Sequence, residues 1–201
     1  PRCIAQASGI RVFGRRIKSL VFTTDVAIIR NINADAVIAV YPFTPQPAIT
    51  HAVLTAAEMP VFSGVGGGIT SGARVVNLAM DAEALGATAV VVNAPTSNEC
   101  IRRLKEVIDI PVAVTVARMD TDVEARLAAG ADILNVSAAE NTAPLVRRIR
   151  SEFPQAAIIA TGGSTEETIL RTIEAGANAI TYTPPTSAAL FRELMVKYRG
   201  D

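Results

Sequence analysis

Short apolar runs and longer amphipathic segments alternate along nearly the whole chain. Apolar runs at about 19–24, 36–41, 60–64, 89–93, 111–117, 133–137, 157–161 and 179–183 predict eight strands. Segments with helical spacing follow at about 25–32, 46–58, 72–85, 97–108, 120–129, 142–153, 165–175 and 186–198. Strands that alternate with helices pair in parallel through right-handed crossovers. Eight such units predict an α/β fold, a single-domain (β/α)8 TIM barrel over residues 19–201. An open doubly wound sheet is the competing arrangement. Residues 1–18 break the pattern and predict an N-terminal hairpin, turning near Gly14, that closes the barrel bottom.

An internal repeat favours closure. Gly86-Ala87, Gly130-Ala131 and Gly176-Ala177 each lead into an even-numbered strand, and Asn33-Ala34-Asp35 has the same shape. A glycine there suits a left-handed helix C-cap. The chain thus divides into four strand–helix–strand–helix quarters, a symmetry that suits a ring.

Two glycine loops follow strands. Thr161-Gly162-Gly163-Ser164-Thr165 lies after the seventh strand, with Ser164 and Glu167 at capping-box spacing. Free N–H groups at a helix start, backed by the helix dipole, suit an anion. The predicted phosphate site is Gly162, Gly163 and Ser164, with Thr183 and Ser187 from the neighbouring turn. Gly66, Gly67 and Gly68, after the third strand, form a second candidate phosphate loop.

Alternate strand residues of a barrel point inward, and chemistry sits at the strands' C-terminal ends. Period two predicts an inward upper ring of Thr23, Asp25, Tyr41, Ser63, Asn93, Thr115, Asn135, Ser137, Thr161, Thr181 and Thr183. Leu20, Phe22, Leu134, Val136 and Ile180 are then expected to face the helices. So many inward polar groups suit a polar ligand better than a sealed core, because each buried one needs a partner. Asp25, Glu140 and Asn93 are the candidate catalytic residues: two carboxylates for acid/base work and one amide to orient substrate. Asp25 also has a purely structural reading, as an acidic residue at a helix start.

The remaining composition narrows the chemistry. Lys18, Lys105 and Lys197 all lie outside the strands, which disfavours a Schiff-base mechanism. His51 falls within a helix, where a structural role is expected. The Arg102-Arg103 pair and Arg147, Arg148 and Arg150 are expected on solvent-facing helix surfaces. Cys3, Cys100 and the single His make no metal-ligand spacing, so no metal and no cofactor are expected. The 19 basic and 19 acidic residues cancel, which argues against nucleic acid or an acidic membrane as partner. With no apolar span long enough for a bilayer, a cytoplasmic protein is expected. Assembly with further copies of the chain stays open.

The Gly64-Val65-Gly66-Gly67-Gly68-Ile69 and Thr161-Gly162-Gly163-Ser164 loops resemble the ribulose-phosphate-binding barrel superfamily. They are similar to the loops after strands three and seven in its histidine-biosynthesis isomerase and cyclase barrels. That resemblance implies a duplicated half-barrel and up to two phosphate sites, and it puts Asp25 where those barrels place a catalytic Asp. The fifth strand carries Thr115 and no Asp, and Thr183-Pro184-Pro185-Thr186 replaces a glycine-containing turn. The whole chain also resembles small bacterial barrel proteins known only by a generic hydrolase label, although no nucleophile triad accompanies it. The expected function is an enzyme, an isomerase or lyase, acting on a small phosphorylated, sugar-like metabolite by acid/base chemistry. The alternatives are a phosphometabolite-binding or regulatory barrel without turnover, and a hydrolase of unknown substrate.

Overall fold

The computed structural model describes residues 1–200. A 3-10 turn, Arg2–Gln6, leads into the hairpin of β1 (Ile10–Val12) and β2 (Arg15–Ile17), in which Ile10 pairs with Ile17. Eight strands and eight helices then alternate. They are β3 (Ser19–Phe22), α1 (Val26–Asn31), β4 (Ala36–Ala39), α2 (Pro47–Ala56), β5 (Val61–Gly66) and α3 (Ala73–Ala84). Next come β6 (Ala89–Val92), α4 (Asn98–Val107), β7 (Val112–Val116), α5 (Val123–Ala128), β8 (Ile133–Val136) and α6 (Thr142–Glu152). The chain ends with β9 (Ala157–Thr161), α7 (Glu166–Glu174), β10 (Ala179–Tyr182) and α8 (Ser187–Arg199). β3 to β10 form a closed ring, with β10 pairing in parallel to both β9 and β3. The closed (β/α)8 barrel expected from the alternation is the observed fold, and the open sheet is excluded.

Closure leaves a narrow lumen that side chains must fill. One apolar cluster does so: Leu20, Ala36, Ile38, Phe62, Ala89, Val91, Ala113, Ile133, Ile159 and Ala179 join Ile10, Val12 and Ile17 of the hairpin. A second set, including Leu134, Val136 and Ile180, packs against the helices. This fixes the phase of each strand. Leu134, Val136 and Ile180 face outward as expected. Leu20 does not; it lies in the lumen, and Phe22, two residues on, shares its side. Ser63, flanked by the lumen residue Phe62, therefore points to the helices and is buried there. Parallel strands buried on both faces carry apolar residues in both phases, so alternation alone gave β3 and β5 no direction.

The glycine repeat caps helices as its spacing suggests. Gly86, Gly130 and Gly176 have φ of 100°, 108° and 113°, conformations that other residues avoid. In three of the four quarters, those of Asn33, Gly130 and Gly176, the residue two positions later does more. Asp35, Asp132 and Asn178 each accept the N–H at the start of the preceding barrel strand. The donors are Ser19 (3.0 Å), Val112 (2.8 Å) and Ile158 (2.9 Å). Each strand pair is thereby pinned in register at the barrel's lower end. Arg150, expected in solvent, joins this system instead. Its guanidinium donates to the carbonyls of Pro154, Ala156 and Gly176 and to Asn178 Oδ1 (2.7 Å). Arg148 likewise donates to the Thr121 and Met119 carbonyls. Short loops left carbonyls within reach of these long side chains, which the helical spacing did not reveal.

Replacing Asn178 with Ala should leave the Ile158 N–H and part of the Arg150 fork unmatched and cost about 1–3 kcal/mol in urea unfolding. Asn178→Asp retains the acceptor and should retain most of that stability. Equal losses in both variants would show that the acceptor is not what matters.

Candidate functional site

The C-terminal ends of the barrel strands open into a mouth. Continuing the lumen phase upward places Thr115, Asn135, Thr161 and Thr181 on the inner side, with Asn93, Ser137 and Thr183 one residue past the ends of their strands. The Asn135 amide donates to Thr115 Oγ1 (3.1 Å), and Thr161 donates to Ser137 Oγ (3.2 Å). Thr181 is only 5 % exposed, and its hydroxyl has no partner among the described residues. An orphaned hydroxyl in a lumen is costly unless something polar reaches it.

Four members of the expected ring, Ser63, Thr23, Tyr41 and Asp25, are not placed by strand phase. Ser63 faces the helices. Thr23 lies past the end of β3, where its hydroxyl accepts the Asp25 N–H (3.1 Å). Tyr41 lies past the end of β4, so strand phase does not govern it. It still reaches the mouth through its loop, and its hydroxyl accepts the Gln46 N–H (2.8 Å).

Asp25 is the N-cap of α1. Its Oδ1 accepts from Ala27 N–H (2.9 Å) and Ile28 N–H (3.2 Å), and its Oδ2 accepts the Ser187 hydroxyl of α8. The Ser187 hydroxyl holds the carboxyl below the usual aspartate range, helped by the backbone donors and opposed by partial burial. Asp25 is thus a committed, ionised acceptor, and Ser187 is engaged with it. Glu140 is exposed, on a 3-10 turn (Ala139–Asn141) that follows the C-terminal end of β8. Ala139 before it has φ 49°, a left-handed conformation that costs a non-glycine residue about 1–2 kcal/mol. Asp120 is exposed and held by the Arg118 fork at 2.7–2.8 Å, which keeps its carboxyl low.

The two glycine loops differ sharply. At α7 the cap is Thr165, paired with Thr168 in a reciprocal box (both bonds 3.2 Å), one residue later than the Ser164–Glu167 expectation. Gly163 at φ 79° supplies the turn that shifts the cap. Gly162 is buried, and a Cβ there would meet Ile180 at 2.7 Å and Ile169 at 2.8 Å, so close packing explains its lack of a side chain. The first turn of α7 carries Glu166 and Glu167, which oppose an anion. Gly163 and Ser164 remain exposed, with N–H groups that meet no acceptor among the described residues.

The Gly66–Gly68 loop leads to α3, whose N-cap Gly72 supplies no side chain and whose first turn has no acidic residue. Arg74 stands in that first turn. Gly66 and Gly67, at φ 125° and 100°, fold the loop back, with Gly67 N–H donating to Thr70 O (2.8 Å). A Cβ at Gly67 would collide with Thr96 Oγ1. Gly68 is exposed, and a Cβ there would meet Asn93 Nδ2 at 3.9 Å, an ordinary contact. A cavity of about 160 Å³ lies between this loop and the β4–α2 loop, lined by Tyr41, Phe43, Gly68, Ile69, Thr70 and Asn93 among others. Its lining includes none of Gly162, Gly163, Ser164, Thr183 or Ser187. Phe43 and Ile69 are 70 % and 81 % exposed at its edge. Strand and helix periodicity does not single out either residue or Arg74; the aromatic Tyr41-Pro42-Phe43 turn after a strand end is the signal for this edge.

No group of acidic, His or Cys side chains among the described residues is arranged to hold a metal ion. No helix is long and apolar enough to cross a membrane.

No protein-family model matches the chain, and no curated protein matches its sequence. Solved structures match the fold. A phosphonopyruvate hydrolase superposes with a TM-score of 0.71 at 13 % identity, covering 98 % of this chain and 85 % of that one. A phosphoenolpyruvate phosphomutase from Streptomyces platensis subsp. rosaceus gives 0.67 at 14 %, covering 98 % and 83 %. A 2,3-dimethylmalate lyase, a member of the PEP mutase/isocitrate lyase superfamily, gives 0.65 at 15 %, covering 100 % and 86 %. Likeness at this identity establishes the TIM barrel and leaves the ribulose-phosphate-binding superfamily without support from these structures.

A lowered carboxyl pKa adds stability above the ordinary value of 3.8 and loses it as pH falls through the lower folded-state value. Ser187→Ala should therefore destabilise the protein at neutral pH, and the difference from wild type should vanish in strong acid. Urea unfolding across that range measures it. A difference independent of pH would show that the Ser187–Asp25 bond does not set the Asp25 charge.

Proposed function

We propose that the protein is an enzyme that binds a small phosphorylated metabolite in the barrel mouth and turns it over by acid/base chemistry. The observation that carries the reading is the polar upper lumen, above all the buried Thr181 hydroxyl without a partner. A ligand with several oxygen atoms matches the hydroxyls and amides of Asn93, Asn135, Ser137, Thr161 and Thr181. Its phosphate belongs at Gly68 and the start of α3. The first turn of α3 carries Arg74 and no carboxylate. The Ser164 loop is the weaker of the two, because Glu166 and Glu167 offset the dipole that would attract an anion.

Glu140 is the better proton carrier, since Asp25 already holds three donors and is kept ionised. The turn at Ala139 supports this role, because backbone strain next to a mouth carboxylate is common where its position matters. The barrels that superpose on this chain are named for phosphonopyruvate, phosphoenolpyruvate and dimethylmalate, all small anions, which agrees with the substrate class. The finer family, that of the ribulose-phosphate barrels, rests on the two glycine loops alone. A binding or sensing barrel is the second reading, favoured by the complete engagement of Asp25.

A panel of phosphorylated metabolites and their dephosphorylated partners, tested by thermal unfolding, separates these points. A true ligand at a hundred times its Kd adds about 2.7 kcal/mol, a rise of roughly 5–10 °C. Gly68→Asp should abolish the rise for the phosphorylated compound, whereas Ser164→Asp should leave it within about 1 °C. The reverse pattern would move the phosphate to α7. Glu140→Gln should keep binding and lose turnover; retained turnover would remove Glu140 from the chemistry.

A further inference from the structure

The polar inward positions at the barrel mouth gather on one side of the ring. Two residues above the lumen cluster, the last inward positions on β7, β8, β9 and β10 are Thr115, Asn135, Thr161 and Thr181. On β3, β5 and β6 the last inward positions are Phe22, Gly64 and Val91, and Val40 stands one residue past β4 in the same phase. Val40 packs on the lumen cluster, and a Cβ at Gly64 would press on its Cγ2 at 3.1 Å. Half of the mouth is thus walled by hydroxyls and amides, and the other half by carbon.

The cavity of about 160 Å³ lies over the carbon half. Val40, Gly64 and Val91 reach it from the strand ends, Phe43 and Pro45 from the β4–α2 loop, and Ile69 from the glycine loop. Polar side chains in its lining are few. The Tyr41 hydroxyl accepts the Gln46 N–H (2.8 Å), and the Thr70 hydroxyl donates to Thr44 Oγ1 (3.0 Å). Both are tied to the protein itself. Asn93, at the border with the polar half, supplies the remaining side-chain polar group.

Such a wall selects against a ligand covered in hydroxyls. Sugar hydroxyls laid on Val40, Val91 and Phe43 would give up water and find no partner there. A carbon ring or short alkyl chain loses nothing of that kind and gains by leaving water. The size is defined too, since an apolar cavity of about 150 Å³ takes a benzene molecule. Phe43 and Ile69 stand largely in water on the two loops that border the cavity. A ring that enters between them covers both. Gly68 lines the same cavity, so an apolar group seated here lies beside a phosphate held at Gly68.

We propose that the substrate is a phosphate ester with an apolar group the size of a benzene ring next to its phosphate. That group sits on Val40 and Val91 between Phe43 and Ile69, and the oxygen-bearing remainder turns to Thr115, Asn135, Thr161 and Thr181. The inference rests on the phosphate-ester reading of the mouth given above and narrows it. Aryl phosphates and comparably apolar esters are taken, and simple sugar phosphates are refused.

Methyl-labelled protein titrated with phenyl phosphate, glycerol 3-phosphate, phenol and inorganic phosphate tests this by NMR. Phenyl phosphate should bind about tenfold or more tightly than glycerol 3-phosphate, the gain expected from burying one ring. Its ring current should shift the methyl resonances of Val40, Val91 and Ile69. Phe43→Ser combined with Ile69→Ser, both at exposed positions, should cut the preference to about threefold or less. Glycerol 3-phosphate binding as tightly as phenyl phosphate overturns the inference and leaves the phosphate reading standing. Unshifted Val40 and Val91 methyls overturn it as well, and so does a preference that survives the double change. Phenol that shifts the same methyls at the same concentration as phenyl phosphate upholds the apolar seat, and the phosphate reading falls instead.

Discussion

Everything in this molecule depends on how the lumen of an eight-stranded barrel is filled. The space admits side chains and nothing else, so each inward position must find neighbours of matching volume and polarity. In the lower part the answer is apolar. Leu20, Ile38, Phe62, Ile133 and Ile159 interdigitate, and the β1–β2 hairpin adds Ile10, Val12 and Ile17 beneath them. In the upper part strands of the same ring switch to Asn, Ser and Thr. The change of chemistry within one lumen separates the part that holds the fold from the part free to bind.

The outer face obeys a different constraint, register. Asp35, Asp132 and Asn178 repeat one hydrogen bond to a neighbouring strand start, and Arg150 extends it to three carbonyls. With the lower rim fixed in this way, the loops at the opposite end are free to vary. The two glycine loops show that freedom. One is spent on packing at Gly162 and on a threonine capping box; the other leaves Gly68 and the start of α3 exposed beside a cavity.

Much of this was legible in the chain. The alternation gave eight units, and the Gly-Ala repeat marked three left-handed caps and hence the quarter symmetry that suits closure. Direction within the strands was legible only where one phase turned polar, as at Asn135 or Thr181. At Leu20 and Ser63 both phases are apolar or small, and no local pattern tells lumen from helix side. The site was legible as a ring of polar residues but not as a cavity. Tyr41, Phe43 and Ile69 meet there through loops whose course depends on Gly66 and Gly67. Asp25 illustrates the remaining difficulty, because a helix cap and a catalytic carboxylate have the same sequence signature and only the Ser187 contact separates them.

The central claim is that the upper lumen is polar for a ligand and not for the fold, and Thr181→Val tests it directly. Valine keeps the shape and removes the partnerless hydroxyl. Urea unfolding of the free protein should therefore show stability unchanged or raised by about 1 kcal/mol. A loss greater than about 1 kcal/mol would mean that the hydroxyl serves the folded barrel itself, and the polar ring would no longer point to a ligand.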